Sequence, residues 1–447
     1  MNTIAIRVFA TALLLALLIV KSAAGEDGKS ADSIETWSYH FQFTVIQQVH
    51  GDFSAPYSGL NSLADTSESD YSVTSTFFVG RTLWQGAEIY YNPELSGGTG
   101  VSLTRGIAAF PNGEVYRVED PTPKVTTARL FIRQRFSLGG DETETLDADQ
   151  NQLGAVIPKS CLTLTGGKFS LTDIFDNNVY SHDPRTQFMN WAMWAPAAWD
   201  YAADTRGYTW GIAAQLDQVA WSLIFAAVLM PSTANGAIFD RNIHEANSFN
   251  LEFVKPFTLF DQQGKLHIIG FLNHAHMGNY REAIDEAAAT GSAPNITATE
   301  SYSAKYGFAL SLEQPLSETV GLFSRLSWDD GKTETFVFTE IDRSFQAGVN
   351  VRGDGWKRPD DHFGIAYEAS GLSNDHRDYL AAGGYGFIIG DGKLNYGLEQ
   401  VLETYYSLKL VSTFWLSPDY QLIINPGYNK DRGPLVSMFG LRAHVEL

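Results

Sequence analysis

The sequence has 447 residues and a formal net charge of −20 at pH 7. This charge argues against nucleic acid as a partner, because such binding depends on Lys and Arg neutralising phosphates, and the single cysteine, Cys161, excludes an intramolecular disulfide. Only 18% of the residues are charged, against about a quarter in an average soluble domain, while Gly (40) and Phe (28) are abundant.

The first residues have the pattern of a secretory signal. Arg7 precedes an apolar run over residues 8–20, and Ser22, Ala23 and Ala24 supply the small residues that a signal peptidase recognises. The alternative is an anchoring helix, but the run is shorter than the roughly 20 residues that span a membrane. We predict a signal peptide over residues 1–24, a flexible amino-terminal segment over 25–37 and one β domain over 38–447.

No later apolar run reaches the roughly 18 residues of a helical span, since the longest covers only residues 219–230. Strand-length segments that alternate apolar and polar residues recur instead, at 40–50, 87–94, 129–136, 321–327, 362–368 and 436–447. Within 129–136, Arg129, Phe131, Arg133 and Arg135 share one face. A membrane barrel would turn the opposite, apolar face to lipid and this face to an aqueous channel. A soluble sandwich, the alternative, would bury the apolar face in its core.

Glycine-rich sequences predict tight hairpin turns at residues 329–332, 390–393 and 425–427. Polar stretches predict surface loops at 54–69, 139–152, 283–299 and 370–378, with a short helix at 281–289. The last segment, 436–447, is amphipathic as the final strand of an outer-membrane barrel usually is, although Leu447 stands where an aromatic residue is usual.

A central motif, Gly-Gly-Lys-Phe-Ser-Leu-Thr-Asp-Ile-Phe-Asp-Asn-Asn, stands at residues 166–178 and continues through residues 180–190 and 200–211. It resembles the central signature of the carbohydrate-selective porins of the OprB family. Residues 55–59, 110–114, 358–364, 425–427 and 440–442 also match, so the likeness covers nearly all of the mature chain.

This resemblance implies an all-β transmembrane antiparallel barrel of about sixteen strands, with eighteen as the alternative, in the bacterial outer membrane. It implies diffusion of carbohydrates, such as the monosaccharide glucose, with no catalysis and no cofactor. The implied partners are outer-membrane lipid and small carbohydrate solutes, and a monomer and a homotrimer both stay open.

For such a pore we predict a lining of charged and aromatic residues. They are Glu88, Glu94, Arg129, Arg133, Arg135, Lys168, Asp176, Asp183, Arg185, Trp191, Arg325 and Glu403. Guanidinium groups present fixed donors to sugar hydroxyls, and carboxylates supply acceptors. The alternative is that these charges only pair with each other. Among the arginines Arg133, near the middle of its strand, is the first choice for solute contact.

The stretch over residues 176–204 is too long and irregular for a hairpin turn and contains Trp191, Trp194 and Trp199. We predict that much of it folds into the barrel and narrows the pore, with aromatic faces available to sugar rings. The alternative is an outer loop whose aromatic side chains lie at the membrane interface.

Other functions have weaker support in the sequence. His267, His274 and His276 lack the flanking ligands of a recognisable metal site, and the acidic run at 141–149 lacks the spacing of a calcium loop, so no metal is predicted, with weak calcium binding left open. Catalytic motifs for hydrolysis or phosphate binding are missing from the sequence. Three functions stay open: a sugar porin, a porin of the same build for a polyol or hydroxylated organic acid, and a secreted soluble sugar-binding β protein.

Overall fold

The computed structural model describes residues 35–115, 122–433 and 435–447, and the predicted signal peptide lies outside these residues. Within them, sixteen strands close into one antiparallel barrel. The barrel strands are β1 (Trp37–His50), β2 (Glu68–Trp84), β3 (Ala87–Gly98), β4 (Lys124–Ser137), β7 (Cys161–Phe169), β8 (Thr209–Gln218), β9 (Trp221–Leu229), β10 (Asn247–Leu259), β11 (Gln262–Met277), β12 (Ser301–Pro315), β13 (Val320–Asp329), β14 (Arg343–Gly353), β15 (Arg358–Gly371), β16 (Glu399–Val411), β17 (Phe414–Ile424) and β18 (Val436–Glu446). Two further strands, β5 (Thr143–Leu146) and β6 (Ala155–Pro158), pair as a separate hairpin.

The barrel closes where the last strand pairs with the first. Strand β18 runs antiparallel to β1, with Val45 opposite Ala443, and every other barrel strand pairs with the next barrel strand in the chain. Strand β4 pairs directly with β7, because β5 and β6 form a separate two-stranded sheet and are not strands of the barrel. Closure leaves no unpaired strand edge, which is a requirement for a sheet that lies in lipid. The predicted barrel is confirmed, with sixteen strands.

The two faces of each strand differ in character, as β12 shows. Phe308, Leu310 and Leu312 point outward and are 37–40% exposed, whereas Ser311 and Glu313 point inward and are at most 4% exposed. An apolar outer face and a polar inner face are what a bilayer around a hydrated lumen requires. Strand β12 is not among the predicted alternating segments, but the predicted alternation is confirmed in β4, where Ile132 is exposed and Phe131 is buried.

The connections at the two ends of the barrel differ in length. At one end, strands are joined by the short turns 85–86, 219–220, 260–261 and 412–413, as on the periplasmic side of bacterial barrels. At the other end the connections are long, and the three glycine-rich turns lie inside them, at 330–342, 372–398 and 425–435. The prediction that they are tight hairpins is therefore wrong. Gly331, Gly390 and Gly427 have positive φ values of 54°, 95° and 61°, and they turn the chain within these connections rather than between paired strands.

Three α-helices lie in the long connections of the described residues: α1 (Trp191–Trp194), α2 (Tyr280–Thr290) and α3 (Asn374–Ala381). The short helix predicted at 281–289 is confirmed as α2. Asn279 caps its amino-terminal end by accepting from two backbone N–H groups, and Gly291, in the left-handed region, caps its other end. None of these helices has the length and apolar character needed to cross a membrane.

The hydrophobic core lies inside the barrel, where the long connections pack against each other. Trp191 stacks on Phe338 with ring centroids 4.1 Å apart, and Phe110 meets Trp191 edge-on at 5.9 Å. Trp199 is 2% exposed and donates through Nε1 to Asn250 on the barrel wall at 3.0 Å. The prediction that residues 176–204 fold into the barrel is confirmed, and the outer-loop alternative is wrong.

Candidate functional site

A cavity of about 610 Å³ lies where the connections narrow the lumen beside β3 and β4. Six of the twelve predicted site residues line it: Glu94, Arg129, Arg133, Asp183, Arg185 and Trp191. The barrel strands contribute the first three, and the connection that runs from β7 to β8 contributes the others. We call this connection, residues 170–208, the inward segment.

Glu94 is the carboxylate on which several donors of this cavity converge. Its two carboxylate oxygens lie 3.2 Å from Nη2 of Arg185 and 2.8 Å from Nη2 of Arg206. The hydroxyls of Tyr208 and Thr76 donate to the same carboxylate at 3.0 and 2.8 Å. Because Glu94 stands on β3 and three of these donors or cations lie on the inward segment, the carboxylate holds that segment against the wall and offsets its positive charge.

Arg185 is positioned by a turn that Asp183 begins. The Asp183 side chain accepts from the backbone N–H of Arg185 at 2.9 Å, as aspartate often does in turns. Arg442 on β18 donates to the carbonyls of Pro184 and Gln187, which fixes the turn to the wall.

The guanidinium of Arg185 is held by acceptors on several sides. Its Nε lies 2.9 Å from the Glu114 carboxylate, and its Nη1 donates to Gln42 at 2.7 Å. Burial lowers the pKa of Arg185, but Glu114 and Glu94 outweigh it and raise the pKa well above its usual value. The side chain is a fixed cation, and each of its three nitrogens faces an acceptor.

Arg129 and Arg133 stand two positions apart on the inner face of β4 but have different surroundings. Arg129 forms a two-point ion pair with Asp173, whose carboxylate also accepts from the backbone N–H of Ser170 at 2.9 Å. Arg133 donates through Nη1 to the Asn151 carbonyl at 3.0 Å and lies 3.7 Å from the Glu88 carboxylate. A guanidinium carries five N–H donors. Within the described residues, Arg133 makes one hydrogen bond and Arg129 makes two.

Three predicted residues lie beside the cavity rather than on its lining. Arg135 pairs with Glu88 at 2.6 Å. Lys168 pairs with Asp204 at 3.1 Å and donates to the Thr127 carbonyl at 3.0 Å. These pairs match the alternative in which lumen charges satisfy one another.

Three more lie where the wall meets the inward segment: Arg325 and Glu403 stand on wall strands, and Asp176 belongs to the inward segment. Arg325 on β13 is 1% exposed and donates to the Asp176 carboxylate at 2.8 Å and to the Met193 carbonyl at 2.8 Å, with a further bond to the Ser181 carbonyl. The structure thus uses these three side chains to join the inward segment to the wall, and none of them lines the cavity.

Carboxylates on the wall hold backbone N–H groups of the inward segment. Glu403 accepts from the N–H groups of Met189 and Asn190, Glu252 accepts from Asp176, and Glu313 accepts from Val179 at 2.8 Å. Leaving one such buried N–H group without an acceptor would cost about 1–3 kcal/mol. The large number of acidic residues therefore has a structural use, because irregular chain inside a barrel needs acceptors for its N–H groups.

Sequence reasoning missed several residues at the cavity. Glu114, Arg206 and Tyr208 lie within the motifs at 110–114 and 200–211, so those motifs carried a signal for them. Asn151 and its neighbours Gln150 and Gln152 also line the cavity, and nothing in the sequence distinguished them from a surface loop. Among the described residues, no three His, Cys, Asp or Glu side chains are grouped as metal ligands.

The comparison with protein families decides the identity of this pore. Residues 80–447 match the family model of the OprB carbohydrate-selective porins. The chain belongs to the OprB family. This OprB-family porin is therefore a channel of the bacterial outer membrane and not an enzyme, and the soluble sugar-binding alternative is wrong.

Solved structures agree with this fold. The high-pH structure of Pseudomonas putida OprB matches with a TM-score of 0.68 and 16% identity over 94% of this chain and all of that chain. The outer-membrane channel DcaP of Acinetobacter baumannii matches with a TM-score of 0.52 and 9% identity over 92% of this chain and 98% of that one. No curated protein sequence matches the chain at a significant level. At these identities the likeness shows the shared barrel fold.

Proposed function

We propose that this porin passes neutral polyhydroxy solutes of monosaccharide size, such as glucose, and that they contact Arg133 in the cavity. The observation that carries the proposal is the unequal use of the arginines. Arg129 and Arg185 are hydrogen-bonded by carboxylates. Within the described residues, by contrast, Arg133 donates only to the Asn151 carbonyl and lies 3.7 Å from the Glu88 carboxylate. A sugar hydroxyl can exchange water for the N–H donors of Arg133 as it passes.

Acceptors and an aromatic face complete the setting for a sugar. The carboxylates of Glu94 and Glu114 line the same cavity as Arg133, so a solute with several hydroxyls meets donors and acceptors together. Trp191 also lines it, although most of its ring is packed against Phe338. Hydrogen bonding is therefore the main source of selectivity in this proposal, and ring stacking is secondary.

The competing solute is a hydroxylated organic acid, which the four arginines of the cavity lining would favour by charge. These cations are Arg129, Arg133, Arg185 and Arg206. Glu94, Glu114 and Asp173 lie among them and pair with three of the four, which lowers the attraction for an anion. We therefore place neutral sugars ahead of their acids.

Liposome swelling with the purified porin tests the proposal. We expect glucose to enter faster than gluconate at equal concentration. Liposomes without protein provide the baseline. Faster entry of gluconate than of glucose would show that the arginines select for anions and would contradict the proposal.

A further inference from the structure

The connection between β4 and β7, residues 138–160, differs from the others at its end of the barrel. That end carries two-residue turns at 85–86, 219–220, 260–261 and 412–413, yet this connection is much longer and contains the β5–β6 hairpin. In a bacterial barrel the end with short turns faces the periplasm. The sequence predicted residues 139–152 as a surface loop, and the structure contradicts this for the end of that stretch.

The part of the connection between β5 and β6 forms a tight turn that enters the lumen. Asp149 and Gln152 exchange both backbone hydrogen bonds at 3.0 Å, and Asn151 between them has a φ of +55°, which asparagine tolerates better than most residues. Leu153 is 2% exposed and belongs to the same buried apolar cluster as Tyr90 and Phe131 on the wall.

Hydrogen bonds fix this turn to the wall and to the termini of the barrel. The N–H of Leu153 donates to the Tyr90 hydroxyl at 3.1 Å, and Arg133 donates to the Asn151 carbonyl at 3.0 Å. The Gln150 side chain donates to the Glu446 carboxylate at 3.0 Å. A solvated loop would not make these contacts. Together they hold the turn at a defined position in the lumen, near the end of the barrel that carries the short turns.

We propose that residues 147–154 form the periplasmic-side wall of the constriction and determine which solutes leave it. Gln150, Asn151 and Gln152 of this turn line the cavity together with Arg133, and the Asn151 carbonyl accepts from Arg133 and so helps to position it. Carboxamides both donate and accept, so they suit neutral hydroxylated solutes and give no advantage to an anion. The selectivity part of this inference rests on the proposed function, and the position of the wall does not.

Cysteine substitution tests the position of the turn. In a Cys161→Ser background, Gln150→Cys is treated with a charged methanethiosulfonate reagent from the periplasmic side while ion current is recorded in planar bilayers. We expect the current to fall by about half or more, because added bulk at a narrow point governs conduction. Glu142→Cys, on the exposed part of the same connection, is the control and should react without loss of current. Reaction of Gln150→Cys with no change in current would overturn the proposal.

Shortening the connection provides an independent test. Because Ser137 pairs with Cys161, residues 138–160 can be replaced by an Asn-Gly turn like the neighbouring two-residue turns. We expect ion conductance to rise by about twofold or more, with weaker glucose block. Unchanged conductance in a variant that still migrates as a folded barrel would contradict the proposal. If wild-type protein passes no sugar, the proposed function fails, but the ion-current result still decides whether this turn is a pore wall.

Discussion

Replacing Arg325 with alanine is expected to raise single-channel conductance and make it variable from one channel to the next. The side chain binds the inward segment at Asp176, Ser181 and Met193, so its loss frees three positions at once. It also leaves the buried carboxylate of Asp176 without its cation. Breaking such a pair by removing one partner costs about 3–5 kcal/mol, which is enough to release the segment locally. Planar-bilayer recording, with limited proteolysis of the inward segment, measures the effect.

Two further variants separate release of the segment from simple loss of charge. Arg352→Ala removes an exposed arginine that pairs with Asp354 at the periplasmic end, and its conductance should equal that of wild type. Arg325→Met combined with Asp176→Asn removes both buried charges and should have a smaller effect than Arg325→Ala. Wild-type conductance in Arg325→Ala would show that other contacts suffice to hold the segment.

Replacing Arg133 with alanine is expected to weaken glucose block of the ion current by about tenfold. A hydrogen bond to a charged donor contributes about 1.5 kcal/mol or more, and about 1.4 kcal/mol corresponds to a factor of ten in affinity. The inward segment should stay in place, because Arg133 contacts residues of the neighbouring strand and the 138–160 connection. The measurement is the glucose concentration at half-block in planar bilayers.

Other arginines control for the loss of one positive charge. Arg81 lies outside the lumen over the ring of Trp37, so Arg81→Ala should leave glucose block unchanged. Arg135→Ala removes the next inward arginine of the same strand, which pairs with Glu88 beside the cavity, and should have a smaller effect than Arg133→Ala. Equal effects of the three substitutions would mean that charge alone, and not contact with Arg133, controls the block.

The barrel could be predicted from the sequence because its signal is local. In a strand, side chains alternate between the two faces, so Arg325 and Glu403 are expected on the inner face. Both are buried on that face in the structure. The family motifs pointed to the region that fills the lumen. Strand number followed from the resemblance rather than from any local pattern.

Local sequence patterns could not predict which inward-facing residues line the cavity and which pack against the inward segment. Whether Glu94 lines the cavity and Glu403 lies behind the inward segment depends on where that segment folds, since Glu403 bonds Met189 over 200 residues earlier in the chain. The prediction of a surface loop at 139–152 failed for the same reason. Its polar sequence is typical of a surface loop, and only the contacts of Asn151 and Leu153 with the wall show that it enters the lumen.

We expect a monosaccharide to bind briefly at Arg133 as it crosses the pore. Current block by glucose in planar bilayers containing the wild-type porin tests it most directly. We predict block that saturates as glucose concentration rises and that is stronger for glucose than for gluconate. A current that falls only as the bulk conductivity of the solution falls, with no saturable block at high glucose concentration, would contradict the claim while leaving the pore itself intact.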